Sequence, residues 1–316
     1  MCAVRVACRR HDWTNALFDG RATAPSIELT VTEQANVGVD GLLADDARFE
    51  YAECGLSGLI VARAKGAPVV ALPIFIRNAF RQSYIFVRDD AGISTPKDLE
   101  GKRIGTRYNM TATVWARGFL QHDYGVRLER VHWVNDEPAE AAAGYRLPKG
   151  LTLEPVAAGA DLQGLLLDGK IDGLIHAAVD VDRLLAGGGV RRLFADAGGE
   201  ERAWWARTHI VPMMNVLACR EDVVRDRPDE LREVFAAFVR AKELGMAAQH
   251  NNRDSGLFWF WETFEEQGRL MGPDPVPYSV GGNRHAIETL LHYCAEQGIG
   301  DRELGVGELF VESLDG

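Results

Sequence analysis

Short apolar runs alternate with amphipathic stretches over the first two thirds of the chain. Val4, Val6 and Cys8 alternate with Arg5 and Ala7, the period-two pattern of a strand. Runs at 27–31, 68–75, 83–88 and 102–105 have strand length and composition, as do those at 131–134, 151–156, 171–175 and 211–219. Residues 56–65 carry a helical pattern, stopped by Gly66 and Pro68, and 162–168 another. Beyond Cys219 the pattern is helical, over 228–249, 256–267 and 284–297. Strands separated by helices predict an α/β protein with parallel sheets. Segments near 83–88 and 205–211 read as crossings between two sheets. They define one discontinuous lobe, residues 1–82 with 212–316, and an inserted lobe, 83–211, with a ligand cleft between them.

The composition changes this picture little. The 316 residues are 47% hydrophobic and 26% charged, and no apolar run approaches the ~20 residues of a membrane span. The first residues do not read as a secretory signal, which predicts a cytoplasmic protein. Five scattered cysteines without a C-x-x-C pair argue for reduced, mostly buried thiols and against a cysteine-bound zinc. A net charge of −11 disfavours nucleic acid, so arginines gathered at one point would serve a small anion. The pattern leaves open whether the chain self-associates.

Three stretches carry candidate chemistry. "GKRIGTRYNMTATVWARGFL" reads as strand, turn and helix, with Arg107 ahead of Met110, Thr111, Ala112 and Thr113. A helix start offers unpaired N–H groups and the positive end of its dipole to a carboxylate or phosphate. Thr111 would either cap that helix or touch a ligand. In "FIRNAFRQSYIFV", Arg77 and Arg81 follow one strand and precede another, where their forked donors can grip a carboxylate. His176 follows "IDGLI" at the expected carboxyl end of a strand, and histidine is the commonest proton donor near neutrality. His11 is assigned the equivalent place after the first strand, Glu53 the place after "FEYA", and His209 and Asn215 lie where the chain recrosses. Trp204 and Trp205 would wall a pocket or fill core. No H-E-x-x-H or H-x-H predicts a metal site, although His11, Glu53, His176 and His209 could in principle converge. No G-x-S-x-G elbow, P-loop or dinucleotide fingerprint occurs.

"STPKDLEGKRIGTRYNMTATVWARGFLQHDYGV" resembles the signature of the 4,5-dihydroxyphthalate decarboxylase family, which is related to periplasmic solute-binding proteins. "FIRNAFRQSYIFVR", "VPMMNVLACREDVV", "GPDPVPYSVGGNR" and "EQGI" follow in the family's order. The resemblance implies a type 2 periplasmic-binding-protein fold and removal of CO₂ from an aromatic acid without an organic cofactor. It implies histidines at two positions where this chain has Gln82 and Asn215, neutral amides that do not titrate. His176 lies where the family pattern does not call for a histidine. Decarboxylation of a hydroxylated aromatic or related small carboxylic acid is therefore the expectation, with His176 as leading donor and His11 and His209 in reserve. The alternative is a protein that clamps an aromatic anion without chemistry.

Overall fold

The computed structural model describes residues 3–46, 48–138, 145–157, 159–251, 256–300 and 302–314. Among the described residues eleven strands form two sheets. Strands β1 (Ala3–Cys8), β2 (Glu28–Glu33), β3 (Tyr51–Gly55), β4 (Val69–Asn78) and β11 (Met213–Arg220) make the first, in the order β2-β1-β3-β11-β4. The second contains β5 (Ile85–Arg88), β6 (Arg103–Thr106), β7 (His132–Asn135), β8 (Leu153–Pro155), β9 (Gly173–Ile175) and β10 (Val190–Arg192). Its order is β10-β5-β9-β6-β7-β8. In the first sheet β1, β2 and β3 are parallel, and β11 runs antiparallel between β3 and β4. In the second, β6 to β9 are parallel, β5 is antiparallel to β9, and β10 pairs antiparallel with β5, so β5 alone is reversed. The chain passes to the second sheet after β4 and returns through β11.

The longer helices are α1 (Leu56–Ala64), α2 (Thr111–His122), α3 (Ala197–Thr208), α4 (Pro228–His250), α5 (Phe260–Met271) and α6 (Val280–Glu296). Helix α1 follows β3 without a linker, and α2 follows β6 across four residues. Both helix starts therefore lie beyond the carboxyl ends of parallel strands, where α/β folds place ligands. One core continues from the first sheet through α1 and α2 into α6, with Phe75, Trp115, Phe119 and Leu290 among its members. A second core lies between the first sheet and α4, around Phe238.

Trp204 is wholly buried, edge-on to Trp115 with ring centroids 6.4 Å apart, so it fills core rather than walling the cleft. Cys8, Cys54, Cys219 and Cys294 are free and buried; Cys2 lies outside the described residues. No helix among the described residues is long and apolar enough to cross a membrane. Among the elements that differ from the sequence reading are β3 and α5. Glu53 sits inside β3, not after it, because the strand extends to Gly55. The expected helix at 256–267 begins at Phe260.

Candidate functional site

A cleft of about 830 Å³ lies where the two sheets' helix starts approach each other. One wall comes from the Gly55–Ser57 junction of α1, the other from Met110, Thr111 and Ala112 at the start of α2. The two starts are tied together. The Thr111 hydroxyl accepts from the Ser57 N–H at 3.1 Å, and the Ser57 hydroxyl donates to the Asn109 carbonyl at 2.5 Å. Thr111 thus satisfies an orphan donor of α1 instead of capping its own helix, whose N-cap is Met110.

Arg77, Arg81, Arg107 and Asn215 complete the predicted lining. Arg77 and Asn215 are cross-strand partners on β4 and β11, and Asn215 Nδ2 donates to the Asn36 side-chain oxygen Oδ1 at 2.6 Å. Arg107 forms a two-point pair with Asp136, at 3.2 and 2.9 Å. Arg81 is different. It is 2% exposed, yet none of its three guanidinium nitrogens has a hydrogen-bond partner among the described residues. Its group lies over the Tyr84 ring at 5.2 Å. Burial, and then repulsion from Arg77, lower its pKa to about 10, so it stays charged at neutral pH. Burial followed by the Arg9 charge also lowers Arg77, which has no ion-pair partner among the described residues. A buried charged donor left unpaired costs about 1–3 kcal/mol or more, a cost that a bound anion removes.

Other expected site residues are placed elsewhere. Glu53 is fully buried and accepts from the Arg9 backbone at 2.8 Å and side chain at 2.7 Å, so its carboxylate is already satisfied and does not face the cleft. Thr113 donates to the Arg107 carbonyl at 2.6 Å and lies behind the cleft wall. His11 stands beside Arg9 with Nδ1 accepting from Trp13 N–H at 3.4 Å; burial and the Arg9 charge lower its pKa to about 4. His209 is exposed at the end of α3, in a left-handed conformation and edge-on to Trp205. None of the three histidines lines the cleft.

His176 is the nearest of them. Its Nδ1 accepts from Ala178 N–H at 3.2 Å, and its buried Nε2 has no partner. It borders a closed gap with Tyr84 and Thr113; Arg81, Ala112 and Ala177 line both that gap and the cleft. Burial lowers its pKa, against a weaker upward pull from Asp136. His11, Glu53, His176 and His209 do not converge on a metal-sized space among the described residues. Gln82 is buried, with Oε1 accepting from Arg81 N–H at 3.1 Å. The sequence reading missed Asn36, Ser57 and Lys65, which also line the cleft. Ser57 had a signal: "CGLSG" is a strand-to-helix junction like the one at Arg107–Thr113.

A family model described as NMT1/THI5 like matches residues 26–143. A curated relative from Comamonas testosteroni named "4,5-dihydroxyphthalate decarboxylase" is 30% identical over 315 residues, covering 96% of this chain and 95% of the relative. Among solved structures, the periplasmic sulfonate-binding protein SsuA from Methylobacillus flagellatus KT aligns with a TM-score of 0.60 at 14% identity, over 99% of this chain and 92% of its own. The desulfurization enzyme DSZB aligns with a TM-score of 0.58 at 16% identity, over 99% and 98%. The neighbours include both a binding protein and an enzyme, so the fold alone does not choose between those activities. The long relative does assign the lineage: the chain belongs to the 4,5-dihydroxyphthalate decarboxylase family, built on the type 2 periplasmic-binding-protein fold.

Proposed function

We propose that the chain is a carboxy-lyase that removes CO₂ from a hydroxylated aromatic acid of the dihydroxyphthalate kind. The observation that carries the reading is Arg81, a buried cation without a hydrogen bond, at the wall of a cleft large enough for one aromatic ring. Family membership supplies the reaction class. Direct loss of CO₂ from an arene would leave an aryl anion. Protonation of the ring carbon bearing the carboxylate, with electrons supplied by an ortho or para hydroxyl, avoids that species. The C–C bond then breaks, its electron pair restores the aromatic ring, and the net change is ArCOO⁻ + H⁺ → ArH + CO₂. Arg81 and Arg77 hold carboxylate oxygens, and the paired helix starts hold the remaining polar edge of the ring.

His176 is proposed as the proton donor. Its unpartnered Nε2 and its place in a gap that shares Arg81, Ala112 and Ala177 with the cleft support this role. A donor acts while protonated, so kcat/KM should be highest below the depressed imidazole pKa and fall as pH rises through it. The rival reading, capture of an aromatic anion without chemistry, draws support from the amides at positions 82 and 215 and from histidines set back from the cleft. Purified protein incubated with hydroxybenzoates and dihydroxyphthalates, with CO₂ release recorded, separates the two. The lyase reading expects turnover of at least one acid, reduced by about 10²- to 10⁴-fold in His176→Asn. Binding without release for every acid leaves the rival, and full activity in His176→Asn removes that residue from the chemistry.

A further inference from the structure

At the end of α2 remote from the cleft, two histidines and a glutamate meet. His122 is the last residue of α2; His292 and Glu296 lie one turn apart at the end of α6. The Glu296 carboxylate is shared: Oε2 lies 2.6 Å from His122 Nε2, and Oε1 lies 3.2 Å from His292 Nε2. The three ligand atoms all fall within 4.8 Å of one another. From these contacts we infer a binding site for one divalent transition-metal ion of the zinc class, unrelated to the cleft chemistry.

Several independent features favour this. Two imidazoles and a carboxylate are a donor set suited to Zn²⁺, with bonds of about 2.0–2.2 Å, and a fourth position remains open to solvent. Both contributing helices end at the site, so the negative ends of two dipoles face one point and favour a cation. The ligands are also held in place from behind. His122 stacks on Tyr293 with centroids 5.1 Å apart and planes 13° apart. The helices touch closely there, since a Cβ on Gly118 would meet the Tyr293 ring at 2.0 Å. Gln297, just past α6, accepts from Arg117 at 2.9 Å and donates to the Val114 carbonyl at 3.0 Å, fixing the end of α6 against α2. A bound ion would staple α2, which begins at the cleft, to α6.

The test is calorimetric titration of chelator-treated, dialysed protein with ZnCl₂, alongside thermal melting with and without the metal. Parent protein and His285→Ala, a substitution of an exposed histidine elsewhere on α6, should bind one equivalent and melt higher with zinc. His122→Ala and His292→Ala should each weaken binding by about tenfold or more and lose the melting shift. Circular dichroism checks that these surface variants stay folded. If parent protein shows no saturable one-to-one binding, or if both variants bind as parent does, the site is refuted. Because the readouts are stoichiometry and melting, failure here is distinct from failure of the decarboxylase reading.

Discussion

Glu53 and Arg81 are both withdrawn from water, and their surroundings treat them differently. Glu53 is met by Arg9, as buried Lys242 is met by Asp274 at 2.7 Å. The Arg81 guanidinium donates no hydrogen bond among the described residues, and that contrast is why the proposed function rests on it. The place of the arginines on the cleft wall was legible because Arg77 lies near the end of β4 and Arg81 and Arg107 follow strands that end there. Glu53 was misjudged because "YAECG" carries no alternation to show where the strand stops. His11 offers a test at this scale that does not involve substrate. Its folded pKa of about 4 lies below the unfolded value of about 6.5. Neutral His11 therefore contributes stability that is fully present above about pH 6.5 and is lost as pH falls towards 4. Melting temperature should decline across that window, and His11→Asn should decline less; equal acid sensitivity in both would contradict the assignment.

Elements with a strong period were readable and those without were not. The apolar strands β4 and β11 and the helices α1, α2 and α4 follow from the hydrophobic pattern to within a few residues. Helix α3 escaped because "GGEERAWWART" has no apolar stripe, and it buries only Ala197 and Trp204. Strand β10, three residues containing two arginines, gives no signal of its own; it exists because β5 offers an edge. The Ser57–Thr111 tie was equally hidden, since it joins two helix starts far apart in sequence. Packing between α2 and α6 depends on Gly118. Gly118→Ala would drive a methyl group into Tyr293, an overpacking cost of about 1–3 kcal/mol that should appear as a lowered Tm. An unchanged Tm would show that the two helices separate more easily than their close contact suggests.

Across the whole molecule, a net charge of −11 surrounds a cleft lined by three arginines and Lys65. With Asp40 as the acidic residue in that lining, the recess carries more cations than anions inside an acidic molecule, the field the proposed anion-binding role requires. The interleaved topology puts Arg77 and Arg81 at the exit from the first sheet and α2 on the second, so cations and helix start come from different sheets. Two sheets joined by two crossings were legible, their strand orders were not; nor was the position of the histidines, because one residue's displacement along a strand moves a side chain from cleft to core. The central claim is that Arg81 is held unpaired to receive a carboxylate. Calorimetric titration with phthalate, an aromatic dicarboxylate lacking the activating hydroxyls, measures this in parent protein and in Arg81→Met. Loss of a charge-assisted contact should weaken binding by about ten- to a hundredfold. The ligand-free variant should melt higher, because an unpaired buried charge has gone. Equal affinity in the two proteins would contradict the account.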